Sequence, residues 1–356
     1  MKDTLRILRQ QKNVTQEALA KHLGITPQSV GKWERGEGLP DITLLPNIAL
    51  YFDVTVDELL NVDQARIEEK IAAYHEESMG YKNKGETDKD VAMWERAYAE
   101  FPNDCRVMHG LMYALEMGPA LRDPVEATQC VISLGKEILQ NSTDTKLREG
   151  AIQCLCLAYK RIGDIENALY YAEMGGNMHV SRENLRAHVL EGEEGIKACQ
   201  QYIATMLHDA AGTANRMVLK GEFVPEEEIA IYQFGIDLME LLFADGNAGF
   251  YAHDLSWRYF AIARIYAEAG DRDNTLAALE QSVKYAVLTT EADKAPVQYT
   301  APMVNRLKIT PQEITKNYKG NSCDLRLEGL KQQRFDFLRE DSAYQRLVNT
   351  LKAHGE

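Results

Sequence analysis

Apolar residues recur at three- and four-residue spacing along nearly the whole of this chain. Such spacing places them on one face of an α-helix, whereas a half-buried strand would alternate apolar and polar residues. No convincing alternation of that kind occurs, and only 10 of the 356 residues are prolines. The spacing therefore predicts an all-α fold. Beyond residue 60 it predicts helical segments at 64–78, 89–100, 107–115, 124–139, 145–162, 164–173, 183–204, 225–243, 252–269, 272–285, 311–318 and 324–352.

The first sixty residues carry start and stop signals for short helices. Thr15 and Thr26 suit the N-cap position, where a hydroxyl accepts a hydrogen bond from the first turn of the helix. Pro27 suits that first turn, because its missing N–H is harmless there. Gly24 and Gly36 suit the left-handed conformation that ends many helices. Two short helices joined by a tight turn at Gly24 have the spacing of a helix-turn-helix unit.

Two further helices complete this N-terminal segment. Pro46 fits the first turn of an apolar helix that begins near Thr43. Thr55 opens the next helix, and Glu58 stands three residues later as the partner of a capping box. Together with a first amphipathic helix, these signals predict five short helices. They are enough for one compact N-terminal domain, assigned to residues 1–62.

Charge is divided unevenly along the chain. The whole sequence has a formal net charge of −14, which by itself argues against a protein that binds nucleic acid. Residues 1–60, however, hold 7 basic and 8 acidic side chains, so an excess of −13 lies downstream. Within residues 1–36 the basic residues outnumber the acidic ones by four. We therefore expect a locally positive face at the N-terminus and an acidic remainder that repels DNA.

Fixed spacing joins the residues of the N-terminal segment into a longer pattern. It contains Leu5-x-x-Leu8-Arg9, Thr15-Gln16-Glu17-x-Leu19-Ala20, Leu23-Gly24-Ile25-Thr26, Gln28-Ser29-Val30, Lys32-Trp33-Glu34-Arg35-Gly36, Leu39-Pro40-Asp41 and Phe52-x-Val54-Thr55-Val56-Asp57-Glu58-Leu59-Leu60. This pattern resembles the Cro/repressor-type helix-turn-helix family, often called XRE-type regulators, and covers about a sixth of the chain. The resemblance implies a five-helix, lambda-repressor-like DNA-binding domain and double-stranded DNA as its partner.

The resemblance also implies roles for single residues. The helix from Thr26 to Arg35 is the expected recognition helix, lying in the major groove. Gln28 is the expected base reader, because its amide can pair bidentately with adenine, and Lys32 is expected to reach a guanine or a phosphate. Phosphates are the expected partners of Gln16 and Arg35. The full set expected to contact DNA is Gln16, Thr26, Pro27, Gln28, Ser29, Lys32 and Arg35.

Further implications concern structure and assembly. Arg9 and Glu34 match positions that form a structural ion pair between the first and third helices in the family. Pro27 and Gly31 occupy outward positions where the family often carries long polar side chains, so DNA shape and phosphate contacts should add to direct readout. Because one small domain reads few bases, we expect a homodimer with recognition helices about 34 Å apart.

The remaining residues contain a repeated spacing. A tyrosine stands four residues before a glycine three times, and an aspartate follows the glycine in the last two; the pairs are Tyr81/Gly85, Tyr159/Gly163 and Tyr266/Gly270. These units resemble degenerate tetratricopeptide repeats and imply an α-helical tetratricopeptide-like array over residues 63–356. Stacked helix pairs form a superhelix with a concave surface. The resemblance implies a regulatory body that dimerises or binds a peptide or protein ligand.

No arrangement of residues for catalysis or metal binding is found in the sequence. Cys154 and Cys156 stand two apart on a predicted helix, so they point to different faces and cannot chelate one ion together. The histidines show no paired ligand spacing, and Gly36 and Gly38 lack the third glycine of a dinucleotide-binding loop. We therefore expect no enzymatic activity, no cofactor and no bound metal.

The sequence also indicates a compartment. It has no leader-like start and no run of some 18 uncharged apolar residues, and 6 cysteines are too few for a disulfide scaffold. These features predict a cytoplasmic protein that does not contact a membrane.

Two other functional classes stay open at this point. One is a protein-interaction scaffold whose helix-turn-helix domain does not bind DNA, which predicts no affinity for any DNA. The other is an enzyme whose site is hidden in the helical body, which requires a perturbed carboxylate or histidine in a deep polar pocket.

Overall fold

Nearly all of the regular structure is α-helical, which confirms the all-α prediction. The computed structural model describes residues 2–60, 64–118 and 124–355. The chain divides into two compact units, Met1–Ala73 and Tyr74–Glu356, called the head and the body below. The expected domain boundary between residues 62 and 63 lies outside the described residues and stays a prediction. Along the described ranges, every helix is too short or too polar to cross a membrane.

Short capped helices build the head. They are α1 (Lys2–Gln11), α2 (Gln16–Leu23), α3 (Pro27–Arg35), α4 (Leu45–Phe52) and α5 (Val56–Leu60), with a 3₁₀ turn at Ile42–Leu44. The hydroxyls of Thr15 and Thr26 cap α2 and α3, as predicted. Thr55 and Glu58 form the predicted capping box, with the Thr55 N–H donating to Glu58 Oε2 over 2.7 Å.

The inner faces of the five short helices share one apolar core. Ala20 of α2 and Val30 of α3 are fully buried in it. The small side chain of Ala20 lets the two helices of the helix-turn-helix unit approach closely. The buried core residues are Leu5, Leu19, Ala20, Val30, Trp33, Ile48, Ala49, Phe52 and Leu59. The orientation of α3 therefore depends on its own apolar face and is fixed by its neighbours.

A long helix, α6 (Gln64–Asn83), begins in the head unit and ends in the body. The body continues with α7 (Thr87–Glu100), α8 (Cys105–Met117), α9 (Pro124–Asn141), α10 (Thr145–Arg161), α11 (Ile165–Ala172), α12 (Arg182–Val189), α13 (Gly192–Val218), α14 (Pro225–Leu242), α15 (Ala252–Glu268), α16 (Arg272–Ala292), α17 (Ser322–Gly329) and α18 (Ser342–His354). Helices adjacent in sequence pack on each other from α7 to α11 and again from α12 to α16. The last two helices, α17 and α18, pack on α16.

The repeated tyrosine and glycine positions form the same turn three times. Gly85, Gly163 and Gly270 have φ values of 64°, 78° and 69°, in the left-handed region. In each turn the residue after the glycine donates its N–H to the carbonyl of the repeat tyrosine, over 3.0 Å. Asp164 and Asp271 then cap the next helix through the N–H of the residue three positions on. The spacing found in the sequence therefore marks one type of turn that connects consecutive helices at three places in the body.

Three of the predicted helical segments are not single continuous α-helices in the structure. Segment 183–204 is broken into α12 and α13, because Leu190 is extended and Gly192 has a φ of 62°. Segment 311–318 forms a single 3₁₀ turn and then an irregular stretch. Segment 324–352 is interrupted by the 3₁₀ helix Gln333–Leu338.

The structure also contains a short antiparallel strand pair that the sequence pattern did not suggest. Its strands are β1 (Val297–Gln298) and β2 (Lys308–Ile309). At two residues each, the strands are too short to show an alternating pattern.

Candidate nucleic-acid interface

The helix α3 has a buried face and an exposed polar face. Val30 and Trp33 point into the head core. Gln28, Lys32 and Arg35 are exposed. Their spacing of four and three residues places them on one side of the helix. The sequence-predicted base reader and two predicted cationic contacts therefore form a continuous polar stripe.

The N-terminal end of α3 is ordered by its own side chains. The Thr26 hydroxyl accepts the Ser29 N–H over 3.3 Å and lies 2.9 Å from the Ser29 hydroxyl oxygen. Pro27 occupies the first turn, and both Thr26 and Pro27 are exposed. The first turn of a helix carries unpaired N–H groups and a partial positive charge, which favour an anionic partner.

A polar network ties α3 to α1 and α2. The Arg9 guanidinium donates to both carboxylate oxygens of Glu34, over 2.6 and 3.0 Å, and also to the Val14 carbonyl over 2.8 Å. The Gln16 amide donates to Glu34 over 2.8 Å. The side chains of Arg9 and Glu34 are only 15% and 5% exposed. The structure thus brings together the two residues expected to form the structural ion pair.

The environment of this pair alters the pKa of both groups. Burial alone would raise the pKa of Glu34, but the hydrogen bonds from Arg9 and Gln16 outweigh it and hold the pKa below its ordinary value. The hydrogen bond to Glu34 raises the pKa of Arg9. Both groups are therefore charged near neutral pH, and the network fixes the orientation of α3.

Gly31 lies between Gln28 and Arg35 on the polar side of α3, yet it is closed off from solvent. It is buried, because side chains of α2 and α3 fold over it. A Cβ atom added there would lie 3.1 Å from Arg35 Nη1 and 3.4 Å from Gln16 Oε1. The absence of a side chain at this position leaves room for the ends of the Gln16 and Arg35 side chains beside α3.

Arg35 has a partner that sequence reasoning missed. Its guanidinium donates to both carboxylate oxygens of Glu37, over 2.8 and 2.7 Å, and the two side chains are 59% and 53% exposed. The left-handed turn at Gly36, with a φ of 77°, brings the two residues together. An acidic residue just beyond the glycine was the available signal. The Arg35 charge is thus locally balanced in the structure.

The family comparison and the two HTH-type relatives match a short part of the chain, and the family match lies in the head. The Helix-turn-helix family (HTH_3) matches residues 5–59. An uncharacterized HTH-type transcriptional regulator of Methanocaldococcus jannaschii, MJ0272, is 37% identical over 59 residues, which cover 17% of this chain and 89% of that protein. This chain belongs to the HTH-type transcriptional regulators.

Two further proteins are similar to this chain, one in sequence and one in structure. The HTH-type transcriptional activator BcrR of Enterococcus faecalis is 42% identical over 62 residues, 17% of this chain. The chain spans 30% of the length of BcrR. A crystal structure of Bacillus thuringiensis PlcR, in complex with the peptide PapR7 and DNA, aligns over 80% of this chain and 93% of that one, with 12% identity and a TM-score of 0.32.

The positive charge of this HTH-type head is more restricted than the sequence suggested. Arg9 and Arg35 are neutralised by glutamates, as described above. Lys12 donates to the Tyr51 carbonyl at the end of α4, and its ammonium lies 4.9 Å from the centre of the Tyr51 ring. Within the described ranges, no ion pair is formed by Lys32, which is exposed on the polar stripe.

Where the structure describes the body, no group of histidine, cysteine, aspartate or glutamate side chains is arranged to hold a metal ion. Cys154 is buried and Cys156 is half-buried, and both are free thiols. Burial raises the pKa of Cys154 to about 12, so this thiol stays protonated and unreactive near neutral pH.

Proposed function

We propose that this chain is a cytoplasmic, sequence-specific DNA-binding transcription regulator. In this proposal α3 lies in the major groove of double-stranded DNA, with its N-terminal turn facing base edges and phosphates. The observation that carries the proposal is the exposed stripe of Gln28, Lys32 and Arg35 on a helix whose opposite face is locked by the head core. The family to which the chain belongs supports the same reading.

The proposed contacts divide into base readout and phosphate binding. Gln28 pairs with an adenine, and Lys32 contacts a guanine or a phosphate. Arg35 contacts a phosphate by releasing Glu37, which is cheap because exposed ion pairs contribute only about 0–1 kcal/mol. Thr26, Pro27 and Ser29 place the N–H groups of the first turn near the backbone of the duplex. Gln16 keeps its bond to Glu34 and contacts a phosphate with the rest of its amide group.

The body is proposed to dimerise the regulator or to bind a peptide or protein ligand. Stacked helix pairs with recurrent turns, as in α10–α11 and α15–α16, support this role because such arrays offer extended surfaces to partners. A dimer presents two α3 helices to successive half-sites, about 34 Å apart, which multiplies the few contacts that one head makes.

A selection from random duplex DNA followed by gel-shift titration tests the proposal. Wild-type chain is expected to enrich a motif with two half-sites, and its affinity should fall steeply with salt. Gln28→Ala should weaken binding and relax one motif position, a loss of about 1–3 kcal/mol. Lys32→Ala at a phosphate should reduce the salt slope by about one charge.

The matched control is Lys352→Ala, which removes the same charge from an exposed position of the body. Its salt slope should equal that of wild type. If the wild-type chain retains no DNA at low ionic strength and micromolar concentration, the head is instead a protein-interaction module and the proposal is wrong.

A further inference from the structure

A cavity of about 330 Å³ lies within the body, between helices that are far apart in sequence. The ends of α6 and α8 and the first turn of α7 line one part of it. The start of α15 and the end of α16 line another. Residues 314–319, called the strap below, contribute further lining from Ile314 to Tyr318. The volume falls at the lower end of the range for small-molecule sites, so it suits one small ligand and is too small for an extended peptide.

The strap is fixed in place by bonds to both groups of helices. The Lys316 N–H donates to the Lys82 carbonyl over 2.8 Å, and Lys316 Nζ lies 2.6 Å from Asp293 Oδ2. The ring of Tyr318 stacks on that of His253 with centroids 5.5 Å apart. These contacts make the cavity a built feature of the body.

Most charges that line the cavity already have an ionic partner. Asp293 is paired with Lys316, and Asp254 is paired with His208 over 2.6 Å. Lys82 and Asp90 form the remaining ion pair, which is the longest of the three. Lys82 Nζ lies 3.7 Å from Asp90 Oδ2, which is too far for a good hydrogen bond.

Asp90 is the least satisfied of these groups. Its side chain is 4% exposed, and within the described residues its Oδ1 atom accepts no hydrogen bond. Burial raises its pKa, although Ser78 and Lys82 oppose the shift. A buried carboxylate whose cation is this distant is costly, and a ligand ammonium group bonded to it lowers that cost.

We propose that this cavity binds a small zwitterion of the α-amino acid class that has an apolar side chain. The ligand's carboxylate contacts Lys82 Nζ, and its ammonium group donates to the Asp90 carboxylate through Oδ2, the oxygen that lies 3.7 Å from Lys82 Nζ. In an α-amino acid both charged groups are attached through a single carbon, which matches the short separation of Lys82 and Asp90. Tyr113, Phe250 and Ile314 line the same cavity and provide apolar surface for the side chain. This assignment does not depend on DNA binding by the head.

Calorimetric titration of the full chain with L-leucine and L-phenylalanine tests the proposal. Two analogues of leucine serve as matched probes: isoamylamine lacks the carboxylate and isocaproate lacks the ammonium group. We expect at least one of the amino acids to bind, and each leucine analogue to bind about tenfold more weakly than leucine or not at all. Equal binding of leucine and either analogue would overturn the assignment, as would the absence of binding by both leucine and phenylalanine.

Variants test the two residues directly. Lys82→Met and Asp90→Asn should each weaken amino acid binding about tenfold or more, because each removes one charge-assisted hydrogen bond. Lys84→Met is the matched control, since Lys84 is exposed two residues beyond Lys82, and it should bind as wild type does. Wild-type affinity in both Lys82→Met and Asp90→Asn refutes the proposal. If a variant fails to fold, the comparison of leucine with its analogues on the wild-type chain decides the question.

Discussion

The head and the body both end helices at glycines in the left-handed conformation. In the body, one of these glycine turns is also packed against a residue that is distant in sequence. In the head, glycine turns such as Gly24 are open on the outside, and no described atom lies within 4 Å of an added Cβ. Gly163 in the body is equally open, whereas a Cβ on Gly85 would lie 1.9 Å from the carbonyl oxygen of Tyr318. Local signals thus determine where helices end, and long-range packing determines which of the turns tolerate change.

The largest expected effect comes from substituting alanine at two repeat glycines. Gly163→Ala should lower the free energy of unfolding by about 1 kcal/mol, because alanine disfavours the left-handed conformation. Gly85→Ala should lower it by about 3 kcal/mol, since the clash with the strap is added to the same backbone cost. Urea unfolding of the two variants, followed by circular dichroism, measures the difference. Equal losses would mean that the strap yields without cost and that the two turns are equivalent.

The next effect separates two glutamate–arginine pairs of similar geometry in the head. Glu34→Gln should destabilise the head by about 2 kcal/mol, because it leaves the mostly buried Arg9 guanidinium without its anionic partner. Glu37→Gln removes the partner of an exposed arginine and should change stability by less than about 0.5 kcal/mol. Amide hydrogen exchange in α1 and α3 of the full chain reports both effects. A similar loss in the two variants would contradict the ranking by burial.

A pH series sharpens the same comparison. The folded-state pKa of Glu34 lies below its ordinary value of 4.5, so its stabilising contribution is present above that pH and is lost as the pH falls through the lowered pKa. The difference in hydrogen-exchange protection between wild type and Glu34→Gln should therefore be constant near neutral pH and shrink below 4.5. A difference that persists at low pH would show that packing, and not charge, explains the effect of the substitution.

Sequence reasoning predicted the parts of the fold that depend on neighbours along the chain. The caps at Thr15 and Thr26 and the capping box of Thr55 and Glu58 were readable because both partners lie within one helical turn. The Arg9–Glu34 pair was expected only through the family resemblance, since nothing local connects residues so far apart. The DNA-contacting set stays a prediction, because the exposure of Gln28 and Lys32 shows what is available and does not show what is bound.

Apart from the Arg35–Glu37 pair and the break near Gly192, the missed features depend on contacts from elsewhere in the fold. The segment 311–318 has helical spacing, yet the bond from the Lys316 N–H to the Lys82 carbonyl and the ion pair with Asp293 hold the strap in an irregular conformation. Gly31 is buried by two side chains whose orientation a linear pattern does not encode. Asp90 and Lys82 look like ordinary surface charges until the strap and α15 enclose them.

Glu37→Gln, which has the smallest expected effect on stability, should change DNA affinity measurably. If α3 binds DNA as proposed, Glu37 competes with phosphate for Arg35 and adds a negative charge near the duplex. Glu37→Gln should therefore raise DNA affinity about two- to fivefold at low salt, with the gain fading as ionic strength rises. Asp57→Asn makes the same charge change at an exposed position on α5 and should leave affinity almost unchanged. A gel-shift titration that finds equal gains in both variants would mean that net charge alone acts, and a loss in Glu37→Gln would place Arg35 away from the phosphate backbone.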